Sequence, residues 1–267
     1  TYEGGQVAGW ANQTGSVRFG MLRGKGPFSH AILAGLYLST LVAVYNLSGL
    51  RGWPRWLSNL AALLSLFTLS STAVLALILS WFLLGFEWLQ ARVRELSWRL
   101  LALAAGSAAL IITLTTNSGI SGLIGRYLTF EFQTAYFRQL VWRYGMQSVG
   151  NHPWFGIGYA GYERPLWMVT ESIDAWWLLL AVRFGLPSAL GMALAVIVAI
   201  HGLSDVSSRC AWAERRFYRG LAMSMFVLAI SLFSVSIWGN LQALFNILLG
   251  GCVTCMQRAR AEHRISG

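Results

Sequence analysis

The sequence has 267 residues, of which 56% are hydrophobic and 11% charged, and its 20 Lys+Arg against 10 Asp+Glu leave a formal charge of +10. A chain this apolar does not stay solvated as a disordered coil, and three cysteines do not frame a disulfide-stapled secreted domain. The cations, nineteen Arg and Lys25, punctuate long apolar runs, which is the pattern of a polytopic membrane protein rather than of a nucleic-acid binder or an ordinary soluble enzyme.

Thr1 opens a polar, Gly-rich stretch without an initiator Met or a signal peptide, so residues 1–267 read as a single membrane domain from a longer or processed chain. This first segment runs to His30 and carries Arg18, Arg23 and Lys25. Apolar runs of about 17–25 residues then mark candidate spans. The first is Ala31–Leu47. The next run, Leu57–Leu89, would make a helix roughly 50 Å long, too long for a hydrocarbon core of about 30 Å. Thr68, Ser70, Ser71 and Thr72 lie near its middle, so it splits into Trp56–Leu69 and Thr72–Trp88. Leu100–Thr115 is the fourth span. After the polar stretch Asn117–Ser172 comes a fifth, Ala175–His201, interrupted at Gly185-Leu186-Pro187. Phe217–Ile237 and Leu241–Met256 are the sixth and seventh. The expected fold is thus all-α, a helical bundle of about seven spans with one long external loop.

Charge sets the direction. If the first span runs inward, twelve cations fall in four short cytoplasmic segments: Arg51 and Arg55; Arg92, Arg94 and Arg99; Arg209, Arg215, Arg216 and Arg219; Arg258, Arg260 and Arg264. The other eight are external: Arg18, Arg23, Lys25, Arg126, Arg138, Arg143, Arg164 and Arg183. Five acids accompany them, Glu3, Glu131, Glu163, Glu171 and Asp174.

The two external segments hold the polar chemistry and lie on one face, where they are placed to converge. In the loop, Glu131–Val149 reads as a helix with Arg138 and Trp142 on one side. It is either an amphipathic helix at headgroup level or part of an anion site, since the planar Arg fork grips phosphate oxygens bidentately. Asn151–Gly158 is a Pro/Gly turn in which His152 is a turn cap or a base. Glu163 and Arg164 read as a solvated pair or as site residues. Asp174, before an apolar run, is a helix cap or a general base. Arg183 lies nine residues into that run, which places it at a surface or a polar cavity. Cys252 and Cys255 have CxxC spacing without a second pair, too little for zinc or redox chemistry. No phosphate-loop, dinucleotide or nucleic-acid motif appears, and no metal or other cofactor is implied.

Three blocks resemble a known family. Arg18–Leu36 (RFGMLRGKGPFSHAILAGL), Arg138–Gly158 (RQLVWRYGMQSVGNHPWFGIG) and Ser172–Pro187 (SIDAWWLLLAVRFGLP) are similar, in order and spacing, to segments of the O-antigen ligase/O-antigen polymerase superfamily. The resemblance implies the C-terminal part of a bacterial inner-membrane glycosyltransferase, with about four further spans before it. Such an enzyme transfers glycan from an undecaprenyl diphosphate carrier, on the periplasmic face and without a metal, to another carrier-linked glycan or to lipid A–core. It implies Arg138 as a diphosphate ligand and Asp174 as the base. Arg18, Arg23, His30, Arg126, Arg143, His152, Glu163, Arg164 and Arg183 are then candidate substrate contacts. Asp174-Ala175 stands where ligases carry His-Asn, so ligase and polymerase both stay open. A transporter or flippase for a lipid-linked or anionic substrate is the competing expectation, and a non-catalytic scaffold a third. The scarcity of ionisable groups in mid-span and the lack of an internal repeat favour surface chemistry.

Overall fold

A computed structural model describes residues 17–93, 95–115, 132–168, 171–208 and 210–266. The fold is mostly helical. A small antiparallel hairpin, β1 (Val17–Arg18) and β2 (Met21–Leu22), precedes α1 (Ala31–Thr40), α2 (Val42–Leu47), α3 (Trp53–Leu64) and a 3-10 turn, Ser65–Thr68. Then follow α4 (Ser71–Gln90), α5 (Trp98–Thr115), α6 (Phe132–Asn151), α7 (Trp176–Phe184), α8 (Leu186–Ser207), α9 (Trp212–Ser231) and α10 (Asn240–Ser266). By length and composition, α4, α5 and α8 are long and apolar enough to cross a membrane, and α1–α2 forms a shorter apolar stretch.

The break expected in the long second run is present. Leu69 adopts a left-handed conformation, φ 48°, and Ser70 caps α4 by accepting from Ala73 N (3.5 Å). The first span is also broken, at Leu41, and neighbouring hydroxyls take up the backbone groups there. Ser80 Oγ donates to Ser39 O (2.9 Å) and Ser224 Oγ accepts from Val44 N (3.3 Å). Hydroxyls from adjacent helices are the usual remedy for a broken helix in an apolar setting.

Three boundaries differ from expectation. The fifth run breaks at Gly185, φ 84°, as expected, but its second helix, α8, runs on past His201 to Ser207. The sixth helix starts earlier than Phe217 and ends at Ser231, so residues 232–237 are irregular. The last helix does not stop at Met256 but continues through the basic tail to Ser266.

Helix α9 is the centre of the bundle, packed by α2, α4, α8 and α10. It buries Leu221, Met225, Leu228 and Leu232 although it carries Arg215, Arg216 and Arg219 near its start. Its neighbours invert the usual pattern, because α3, α4 and α8 leave Trp56, Leu60, Ile78, Phe82, Leu194 and Ile197 exposed. An apolar surface of that kind suits a hydrocarbon solvent better than water. Close approach depends on small residues: a Cβ at Gly35 would lie 2.5 Å from Ala73 Cβ, and one at Gly220 2.8 Å from Ala43 O.

The helix ends sort onto two faces. On one, Arg216 donates to Asn46 O (3.4 Å), Arg55 to Asn46 Oδ1 (3.2 Å) and Arg215 to Ser208 O (3.2 Å), while Arg219 pairs with Glu87. On the other sit the hairpin, the Leu69 break, residues 232–238 and a cap formed by α6, α7 and the loop between them. The cap has its own core of Leu140, Val141, Val149, Tyr162, Met168 and Leu178.

Candidate functional site

The cap face brings the two external segments together. The hairpin is fastened to the end of the 3-10 turn by three consecutive carbonyls: Gly24 N donates to Phe67 O (2.8 Å), Arg23 Nε to Thr68 O (2.9 Å) and Arg18 Nη1 to Leu69 O (2.7 Å). Guanidinium groups there favour the negative end of the preceding helix. Ser29 Oγ accepts from Trp238 Nε1 (3.0 Å).

Residues 231–238 are the hub of this face, and the sequence had assigned most of them to a span. Phe233 O accepts from Trp142 Nε1 (3.2 Å), and the two rings stack, 6.2 Å apart at 16°. Leu232 O accepts from Trp176 N (2.9 Å), and Thr72 and Ser234 hydroxyls meet at 3.4 Å. Ser231, Ser234, Ser236 and Trp238, interrupting an otherwise apolar run, were the available signal.

Within this frame the charge of Asp174 acts electrostatically on Arg138, His30 and Tyr162. Asp174 is exposed and is not the helix cap that its position suggested; Ala175 is the N-cap of α7, with no side-chain cap bond. Burial pushes the Arg138 guanidinium below its ordinary value, Asp174 opposes that, and Arg18 adds to it. Its Nε is buried and makes no hydrogen bond with the described residues. Burial likewise holds His30 below the ordinary histidine value. Arg23 and Lys25 act in the same sense, and Asp174 against it. His30 has a structural task as well, since its Nδ1 accepts from Ile32 N (3.3 Å) as the N-cap of α1. Desolvation raises the Tyr162 phenol, Arg164 lowers it, and Asp174 and Glu171 raise it further.

The other predicted residues lie elsewhere. Arg143 is exposed, turned about 140° around α6 from Arg138 at 3.6 residues per turn. Glu163 and Arg164 are not a pair: Arg164 Nη2 bonds Glu171 Oε1 (2.6 Å), and Glu163 Oε2 accepts from Asn151 Nδ2 (2.8 Å). Arg183 stacks over the Tyr159 ring at 4.9 Å. His152 is exposed and, with Ser148, Gly161 and Glu163, lines a cavity of about 380 Å³. Arg126 lies outside the described residues, as do Glu3 and Glu131, and so does part of the expected loop. Among the described residues no His, Cys, Asp and Glu are grouped to hold a metal ion, and Cys252 and Cys255 are free thiols.

The Pro153–Gly158 turn has a structural explanation. Ile157 N donates to Val182 O (2.8 Å), Gly158 N to Arg183 O (2.9 Å) and Leu186 N to Pro153 O (2.8 Å). The turn clamps the α7–α8 break. Gly156 and Gly185 both have positive φ at the contact, where a Cβ on Gly185 would lie 2.2 Å from Trp154 O.

A mostly helical chain with three helices long and apolar enough to cross a membrane among the described residues, and a polar, Arg-bearing cap on one face, is the class that these features define. The chain matches no protein-family model and none of the curated proteins.

Proposed function

We propose that this chain is the active membrane domain of a glycosyltransferase of the O-antigen ligase/polymerase type, acting on undecaprenyl-diphosphate-linked oligosaccharide at the periplasmic face of a bacterial inner membrane. The observation that carries the reading is Arg138: a guanidinium whose buried Nε makes no hydrogen bond with the described residues, within the electrostatic field of Asp174 and Arg18. A buried donor without an acceptor costs about 1–3 kcal/mol, and a phosphate oxygen relieves that cost.

In this reading seven passes cross the bilayer, by α1–α2, α3 with its 3-10 turn, α4, α5, α8, α9 and α10. The alternation of the ends of the passes other than α5 between the cap face and the Arg216/Arg219 face supports it, as does the cation excess that the sequence assigns to the latter. The acceptor hydroxyl attacks the anomeric carbon, and its proton goes to the Asp174 carboxylate. The bond between that carbon and the phosphate oxygen breaks, and the electron pair leaves with the carrier diphosphate. Arg138 meets the negative charge that grows on the leaving oxygen, which stabilises the transition state more than the bound donor. A polyprenyl tail rests against the apolar outer faces, and the acceptor is a second carrier-linked glycan or lipid A–core.

The test is a product assay with the purified full-length protein in nanodiscs and lipid-linked repeats as donor. Longer polymer, or a lipid A–core conjugate, is expected, and Arg138→Ala lowers turnover by about 10²–10³. Wild-type turnover in a correctly inserted Arg138→Ala protein overturns the site assignment. Movement of donor between leaflets without any transfer overturns the enzyme reading in favour of a flippase.

A further inference from the structure

The Arg138 cluster is not the only built feature of the cap. Ser148 lies ten residues beyond Arg138 on α6, about 15 Å along the axis, and opens onto the 380 Å³ cavity with His152, Gly161 and Glu163. The cavity is held open by its own bonds. Ser148 Oγ accepts from Glu163 N (3.0 Å), and Asn151 Nδ2 engages Glu163 Oε2 (2.8 Å). Arg164, the nearest cation in sequence, is held by Glu171 (2.6 Å) and by Met168 O (3.0 Å), its guanidinium lying near Gly161 at the edge of the cavity.

The lining has a carboxylate, an imidazole, the Ser148 hydroxyl and backbone groups, and the one guanidinium near it, Arg164, is already paired with Glu171. A diphosphate would meet Glu163 with like charge and only a neutralised counter-ion. A neutral polyhydroxyl ligand fits, because hydroxyls donate to Glu163 and accept from His152. The same loop also exposes two large aromatic rings next to Gly156 of the lining, Trp154 at 71% and Phe155 at 89%. Rings beside a polar cavity supply flat apolar faces for the C–H side of a sugar, whereas rings alone would suit a membrane surface. A volume of this size is within the range of small-ligand sites.

We infer that this cavity is a carbohydrate subsite, separate from the diphosphate site, that holds a neutral sugar of the glycan some distance from the bond being made. The inference rests on the glycosyltransferase reading, which names the glycan as substrate. Its place on the same helix as Arg138 fixes the spacing between the two grips, so the subsite selects glycans long enough to span both.

The probe is carrier-free oligosaccharide, released by mild acid from the surface polysaccharide of the encoding organism. It is titrated by saturation-transfer NMR into the full chain in nanodiscs. It holds no diphosphate, so its binding is expected to be unchanged in Arg138→Ala. Ala160→Trp, which fills the mouth of the cavity from an exposed position, is expected to abolish it. Glu163→Gln weakens it about fivefold, as for one charge-assisted bond made neutral. No binding by the wild type, or equal binding by Ala160→Trp and wild type, overturns the subsite. A spin label at Phe155→Cys that is relaxed by lipid-soluble rather than aqueous reagents, without oligosaccharide signal, overturns it in favour of a surface resting on lipid. Because the readout needs neither donor nor turnover, failure of the transfer reaction leaves the subsite result standing, and the reverse holds too.

Discussion

At the scale of single residues, the two roles of His30 meet in one titration. Its Nδ1 caps α1 only while that nitrogen keeps a lone pair, so the cap belongs to the neutral ring. The folded value lies below that of the unfolded chain, by burial first and by Arg23 and Lys25 next. The unfolded chain therefore takes up the proton first. The stabilisation is complete above about pH 6.5 and is lost as the pH falls through the lowered folded value. Melting temperature in detergent is expected to fall on acidification below about pH 6.5, and to fall less in His30→Asn, whose side chain caps without titrating. Equal acid sensitivity of the two proteins would disprove the link. For Arg138, Lys is not a conservative replacement, because a point charge lacks the fork. Arg138→Lys should recover little of the turnover lost in Arg138→Ala, while Asp174→Asn lowers kcat by about 10²–10⁴ with little change in KM. That Asp174 acts electrostatically on Arg138 agrees with the expectation that their two segments converge. That Ala175 rather than Asp174 caps α7 was not readable, since cap residues are assigned by backbone angles, and both lie before the same apolar run.

At the scale of elements, the breaks were legible and the fastenings were not. Thr68–Thr72 and Gly185-Leu186-Pro187 stand out in apolar runs because hydroxyl, Gly and Pro residues interrupt helices. What receives the freed groups depends on distant residues: Arg18 and Arg23 on the 68–69 carbonyls, Ser224 on Val44 N, the Pro153–Gly158 turn on the α7–α8 break. No local pattern marks such partners. The start of α9 was misread for a related reason. Arg215 and Arg216 read as part of a polar segment before the span, but Arg216 is satisfied by Asn46 O and the helix already runs from Trp212. Gly185→Ala is expected to cost about 2 kcal/mol or more, from positive φ and from the collision with Trp154 O. Gly191→Ala, on open surface of α8, should be neutral or slightly stabilising. Thermal unfolding of the two variants side by side tests this, and similar losses in both would remove the clamp from the account.

For the whole molecule, composition and charge told most of the architecture. The apolar runs gave the helices, and Arg55, Arg215, Arg216 and Arg219, grouped in the sequence by the direction of the spans, do lie together at one set of helix ends. The orientation is testable with a protein in which Cys210, Cys252 and Cys255 are replaced by Ser. Phe155→Cys should react with an impermeant thiol reagent only from outside, and Trp212→Cys only from inside; labelling of both from one side would reject the seven-pass arrangement. The clamp at Gly156 and Gly185 then has a mechanical meaning. Backbone touches backbone there, so in the proposed membrane arrangement α8 and the cap form one stiff lever with its long arm in lipid and Arg138 on its short arm. A spanning helix adjusts its tilt to bilayer thickness, and a stiff joint passes that tilt on as displacement of the guanidinium. Turnover should therefore peak at one acyl-chain length and fall in thinner or thicker bilayers. A short Gly-Ser insertion after Gly158, by loosening the joint, should flatten the peak. The lipid around such a protein is not only its solvent but a gauge that sets the reach of its active arm.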